Sequence, residues 1–201
     1  MHALLRGRID RPSYCLLLRN LHDIYRALEG ALERHASLPT IAPILLPGLA
    51  RRETLAEDLL GLHGAAWKTD LPVLPAAQGY VERLAAAERE APGHLLAHAY
   101  VRYLGDLSGG QILRRIVAQS LGLEGAEGTR FYTFGEPDQA PALAQRFRAG
   151  LDAIKVDGAA INALVVEAQW GFAQHGRLFR QVLPLAERAP PTSSLPLAGE
   201  G

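Results

Sequence analysis

Between residues 92 and 121 apolar side chains recur at helical spacing: Leu95, Leu96, Ala99 and Tyr103, then Leu107, Ile112, Leu113, Ile116 and Val117. In the middle of that pattern stand three glycines, Gly105, Gly109 and Gly110. A glycine inside a helix costs about 0.8–1 kcal/mol relative to alanine, so the set costs about 3 kcal/mol that something must offset. Glycine lets a helix bend, and it lets another body approach the backbone. Gly105 and Gly109 are four apart and share a face, so that body is a neighbouring helix, which the spacing alone favours, or a flat ligand. Asp106 follows the first glycine on a helix with apolar flanks, with Ser108 and Gln111 nearby. Arg102, four residues earlier, can pair with it on the helix surface. Alternatively, a carboxylate beside a bared backbone holds a water or donor network over a bound group.

The rest of the chain is helical in pattern. Asp10 can cap a helix with Pro12 in its first turn, and that helix is predicted to reach about residue 36. Tyr14, Leu17, Leu21 and Tyr25 form one stripe on it, and two tyrosines there need partners for their hydroxyls. Pro39, Pro43 and Pro47 punctuate a loop over residues 37–47. A helix over 49–64 turns Leu55, Leu59, Leu60 and Leu62 inward, with Arg51, Arg52, Glu53, Glu57 and Asp58 outward. Residues 67–75 read as a loop, and 76–90 as a helix burying Tyr80, Val81 and Leu84. After the glycine-bearing helix, residues 122–141 are irregular, with Phe131, Tyr132 and Phe134 packed on the body. Helices over 141–154 and 158–187 follow, the last carrying Ile161, Leu164, Val165, Ala168, Phe172, Leu178, Phe179 and Val182. No stretch alternates at the strand period and no internal repeat is evident. The expected fold is all-α, a single domain of about six helices over residues 1–188 whose apolar faces pack on one another. Residues 189–201 hold too few packing residues to fold and are expected to form a disordered tail.

A chain of 201 residues can bury one substantial core. Lys+Arg and Asp+Glu number 21 each. The zero balance removes the basic excess expected of a nucleic-acid or acidic-membrane binder, while leaving room for a local basic face. Cys15 is the only cysteine, so neither an internal disulfide nor a thiolate metal cluster can form, which fits a reducing cytoplasm. There is no apolar run of membrane-spanning length and no signal-peptide pattern.

Residues 98–111, H-A-Y-V-R-Y-L-G-D-L-S-G-G-Q, resemble the distal-helix signature of the heme oxygenases. I-Y-R-A-L-E (24–29), I-A-P-I-L-L-P (41–47), F-Y-T-F (131–134), R-F-R (146–148) and E-A-Q-W-G-F (167–172) resemble other segments of that family in order and spacing. The likeness spans about residues 4–183. It implies a multi-helix fold with a kinked, glycine-rich distal helix. It also implies an enzyme that cleaves heme with O2 to biliverdin, carbon monoxide and ferrous iron, with electrons from ferredoxin or an NADPH-dependent reductase.

On that resemblance Asp106 holds the distal water, with Arg102 and Tyr25 in the same network. Gly105 and Gly109 let the backbone approach the heme face, Gly110 helps the kink, and Ser108 joins the cofactor-binding set. Tyr100 and Arg148 reach the propionates, the arginine fork being matched to a carboxylate. Phe172 and Phe179 line the pocket. On spacing alone the two phenylalanines read equally well as core, and Arg148 as a solvated charge. A second basic propionate contact of the family falls at Ala144, which implies weaker anchoring there.

The family's proximal histidine, the iron ligand, would fall ahead of Met1 in this numbering. A preceding segment supplies it, or heme is bound differently or not at all. Of the seven histidines, His98 matches the family's distal-helix histidine, which is not the ligand, while His22, His175 and His2 are weaker candidates. No HxxxH or ExxH pair marks a separate metal site. Two functional readings follow. The first is a heme oxygenase serving iron release or a bilin photoreceptor. The second is a non-catalytic heme-binding or regulatory protein. A bland third, an all-α interaction module that uses its glycines for packing, leaves the long signature unexplained. An apolar face left uncovered would favour a homodimer.

Overall fold

The first described helix starts at Asp10, whose side chain accepts a hydrogen bond from the Ser13 amide at 2.8 Å, with proline in the first turn. The computed structural model describes residues 9–136 and 139–186. The tail expected over 189–201 lies outside them. Helix α1 (Arg11–Arg34) is followed by α2 (Arg52–His63), a one-turn α3 (Trp67–Asp70) and α4 (Pro75–Glu90). Then come α5 (Leu95–Ala99), a π-helical turn (Tyr100–Leu104), α6 (Gly105–Leu121), α7 (Gln139–Ala153) and α8 (Gly158–Ala186). No strand occurs among the described residues. No helix there is long and apolar enough to cross a membrane.

Helix α1 is the central rod. It packs against α2, α4, α5 and α8, and it is buried from Ser13 to Leu32 on nearly every side. A helix buried all round must match its own polar groups, and this one does so by clamping the surrounding loops. Tyr14 Oη donates to Gly128 O at 3.0 Å. Asn20 donates to Leu16 O and Pro72 O, and its Oδ1 accepts from the Leu74 amide at 2.7 Å, which fixes the entry to α4. Glu29 accepts from the amides of Arg51 and Arg52 at 2.5 and 3.3 Å, so a carboxylate on α1 caps the start of α2.

Two residues expected on the outer face of α2 are buried. Asp58 is fully enclosed and accepts from the Arg130 and Phe131 amides at 3.0 and 2.8 Å, holding the 3-10 turn Arg130–Tyr132. Burial pushes its carboxyl up to about 6 against those two donors. Arg51 is buried because its guanidinium bonds to the carbonyls of Gly48 and Thr133, each at 2.7 Å, and lies 4.0 Å above the Phe134 ring. Conversely Leu60, expected inside, is exposed, since the inward face of α2 is taken by Leu55, Asp58, Leu59 and Leu62. Within the segment read as a loop, α3 forms around Trp67, which is buried edge-on to His22 at 4.8 Å.

The departure from α geometry in the glycine-bearing helix falls one turn earlier than the glycines suggest. It is the π turn Tyr100–Leu104, after which α6 runs regularly through Gly105, Gly109 and Gly110. Consecutive Val101, Arg102 and Tyr103 are all buried there. Arg102 reaches α8, and Tyr103 reaches Phe147 of α7 at 5.9 Å.

Gly150 of α7 rests against the loop before α2, where a Cβ would stand 2.3 Å from the Pro43 carbonyl oxygen. Gly150→Ala is therefore expected to destabilise the protein by about 1–3 kcal/mol in urea unfolding. Gly79→Ala, on α4 with nothing within 4 Å of the added carbon, is expected to stabilise it by about 0.8–1 kcal/mol. Similar unfolding midpoints for the two variants would contradict the packing described.

Candidate functional site

Helices α5 and α6, with the π turn between them, run beside α8, and the space between them is open. Its first chamber, about 500 Å³, is apolar and bounded by Leu96, Tyr100, Ile161, Leu164, Val165 and Phe172. Its second, about 280 Å³, is bounded by Arg102, Gly105, Asp106, Gly109, His175 and Phe179. Phe172 lines both and is 54% exposed. Ile161, Val165 and Tyr100 are large apolar or aromatic side chains likewise left exposed on this face.

Gly105 and Gly109 form a bare floor. A Cβ built at either meets nothing within 4 Å. Among the described residues no helix occupies the face they share, so the neighbouring-helix explanation of their spacing finds no partner there. What the floor admits is a flat body lying against the backbone. Gly110 faces elsewhere. It is buried, and a Cβ there would stand 3.6 Å from Tyr132, an ordinary contact, so this position packs on the 3-10 turn Arg130–Tyr132 and not on the cleft. Ser108 is exposed and lines neither chamber. Arg148 is exposed on α7, one helical turn before Leu151 in the wall of the apolar chamber.

Asp106 sits at the edge of the floor with its side chain 12% exposed. Its Oδ2 accepts from the hydroxyl of Tyr25, a fully buried residue of α1. Its Oδ1 faces Arg102 Nη2 at 3.7 Å. Burial pushes the Asp106 carboxyl up, while Arg102, the Tyr25 hydroxyl and Arg51 pull it back. Arg102 is buried, its guanidinium 5.0 Å above the Tyr25 ring, and its Nη1 donates to His175 Nδ1 at 2.8 Å. Burial opposes the arginine charge, but Tyr25 and Asp106 outweigh it and hold the group above its usual range. Burial first and Arg102 second push His175 well below the usual histidine value, so its ring is neutral. The cleft thus joins an apolar trough, a bare backbone floor and a carboxylate with one oxygen satisfied and the other facing a guanidinium beyond hydrogen-bond reach.

Of the residues singled out in the sequence, Tyr25, Arg102, Gly105, Asp106, Gly109, Phe172 and Phe179 come together here, and Tyr100 lines the adjoining chamber. His175 is the described histidine that lines the cleft, and its place three residues after Phe172 on one helix face is the signal for it. His98 is fully buried elsewhere, donating from Nε2 to Glu167 at 2.9 Å and facing the Tyr80 hydroxyl through Nδ1 at 3.2 Å. Arg83 bonds the same carboxylate at 2.8 and 2.5 Å. This network ties α5 to α4 and α8, and Gly171 admits it, since a Cβ there would lie 3.1 Å from Tyr80 Oη. The E-A-Q-W-G-F run therefore supplies a scaffold through Glu167 and Gly171 and a cleft wall through Phe172. Arg51, whose charge reaches Asp106, carries no sequence signal, because an arginine before a helix reads as solvated.

The family model for heme oxygenase matches residues 1–181. The chain is 35% identical to heme oxygenase 1 of a Nostoc species over 180 residues, covering 90% of this chain and 76% of that protein. It is 36% identical to human heme oxygenase 1 over 187 residues, 92% of this chain and 65% of the human protein. Among solved structures, heme oxygenase-2 from a Synechocystis species in complex with heme and NO superposes with a TM-score of 0.89 at 36% identity. That match covers 93% of this chain and 78% of the other.

Burial holds the His98 pKa down to about 4, against about 6.5 in an unfolded chain. The unfolded state then takes up this proton first as the pH falls, so folding loses stability between pH 6.5 and about 4, by about 2 kcal/mol at pH 5. Asp58, raised on folding, acts in the opposite sense over part of that window. Comparison with His98→Gln isolates the histidine term: the variant should lose about 2 kcal/mol less than the parent between pH 7.5 and pH 5 in urea unfolding. Parallel losses would mean that His98 is not held neutral.

Proposed function

The chain belongs to the heme oxygenase family, and we propose that it cleaves heme with O2 and a reductant to biliverdin, carbon monoxide and ferrous iron, using the cleft between α8 and the helix that carries Gly105 and Gly109. The observation that carries this reading is the juxtaposition of Asp106 with a backbone floor on which no side chain of the described residues stands. A planar, largely apolar macrocycle suits the trough of Tyr100, Ile161, Val165 and Phe172. The glycines let it lie against the helix without a steric cost.

Bound heme supplies the iron at which O2 is activated and the ring that is oxidised. The protein's part is placement and proton supply. Asp106 lines the cleft with one oxygen engaged by Tyr25 and the other unbonded 3.7 Å from Arg102, so that second oxygen can accept from a water and hold that water's remaining proton toward the floor. Arg102 keeps the carboxylate beside a positive charge, so it acts as an acceptor despite its burial. Buried Phe179 and the more exposed Phe172 give this part of the cleft an apolar wall. Tyr100, at the rim, and Arg148, one turn from the chamber wall, are assigned to the propionates. With Ala144 buried and uncharged, anchoring at that edge rests on those two. Neither His98, locked by Glu167, nor His175, engaged by Arg102, is assigned as the iron ligand.

Electrons come, on this reading, from ferredoxin or an NADPH-dependent flavoprotein reductase in the cytoplasm. The products free iron or supply a bilin to a photoreceptor. The exposed apolar side chains of α8 leave a homodimer open as the assembly state.

Asp106→Ala is expected to bind hemin with the parent stoichiometry and to form biliverdin on the order of 100-fold more slowly, as read by absorption after reduction in air. Ring opening at the parent rate would remove Asp106 from the chemistry. Gly109→Ala should gain about 0.8–1 kcal/mol of folding stability while binding hemin more weakly. Hemin affinity unchanged in that variant would mean that the ring does not lie on this floor.

A further inference from the structure

Among the described residues, the buried Arg102 makes one hydrogen bond, from Nη1 to His175 Nδ1 at 2.8 Å. Its Nε is buried without a partner. Its approach to Asp106 Oδ1 stops at 3.7 Å, although the two are four residues apart on neighbouring turns. Charge-assisted pairs of this kind close to about 2.7–2.9 Å when nothing competes. Here the fork is turned toward α8 instead. A guanidinium only donates, so His175 Nδ1 must present a lone pair, and the imidazole is neutral with its proton on Nε2. Edge-on contact with Phe179, 4.6 Å between ring centres, fixes the plane of that ring.

We propose that His175 is a positioning residue for the reaction: by accepting from Arg102 it holds the guanidinium off Asp106 and keeps Oδ1 of that carboxylate free for a water in the cleft. Tyr25 already occupies Oδ2. If Arg102 were released it would close on Oδ1, and Asp106 would then have both oxygens taken. His175 thus acts on the chemistry through Arg102, from the opposite wall of the cleft. This rests on the reading of the cleft as the heme site.

The first test uses the heme-free protein with 15N-labelled histidine at pH 7, the His175 signals being identified by their loss in His175→Asn. The expected spectrum is that of a neutral imidazole protonated on Nε2. An Nδ1-protonated ring or an imidazolium overturns the proposal. The second test measures hemin affinity and turnover in two variants. His175→Leu keeps bulk but offers no acceptor. It should bind hemin within about threefold of the parent and form biliverdin at least about tenfold more slowly. His175→Asn, whose side-chain carbonyl can accept from Arg102, should recover most of that rate. Equal losses in the two variants, or none in His175→Leu, overturn the proposal. Should His175→Leu not fold, the spectrum of the parent protein decides alone. Should the parent itself form no biliverdin, the proposed function fails, while the histidine spectrum still judges the contact with Arg102.

Discussion

Asp106 is a carboxylate drawn out of bulk water beside a helix backbone left bare by Gly105 and Gly109, and such a group is tolerated only where a donor and a positive charge stand beside it. Three separate elements arrange them. Tyr25 comes from the central helix α1, Arg102 from the π turn one helical turn upstream, and His175 from α8 across the cleft, acting on Arg102. None of the three can be placed without the others. The Tyr25 hydroxyl is buried only because α1 is enclosed, and the Arg102 charge is tolerable only between Asp106 and the face of the Tyr25 ring. Much of the architecture can be understood as holding these groups at one end of an otherwise apolar trough.

The scaffold repeats one device. A buried charged side chain reaches across to backbone amides or carbonyls of a segment that has little secondary structure of its own. Glu29 caps α2, Asp58 holds the turn at residues 130–132, and Arg51 gathers the carbonyls of Gly48 and Thr133. The Arg83–Glu167–His98–Tyr80 network does the equivalent work between helices, fixing α5 just before the π turn. Because α5 and α8 are tied at Glu167, the walls of the cleft are spaced by the scaffold, and the chamber beside Phe172 stays open between them.

The helices were legible in the sequence because their signals are local. Asp10 with Pro12 marks the start of α1, the apolar periodicity marks α4 and α8, and the long match over residues 98–111 singles out the helix beside the cleft. What the sequence does not show depends on partners distant along the chain. Asp58 and Arg51 read as outward charges, since nothing near them shows that the amides of residues 130–131 and the carbonyls of 48 and 133 will come to meet them. The bend was expected at the glycines, yet the π turn precedes them, because an extra residue in a helix is set by packing on both flanks and leaves no compositional mark. Gly105 and Gly110 look alike in sequence. Only their neighbours separate a face kept empty from one filled by Tyr132.

The central claim, that the bare floor beside Asp106 receives heme and that the chain opens it, is tested most directly by titrating the protein with hemin and following the absorption spectrum after ferredoxin or ascorbate is added in air. The account predicts a saturable Soret band at one heme per chain that decays as the biliverdin absorption rises. A band that saturates but survives reduction, or no saturable band at all, would contradict it.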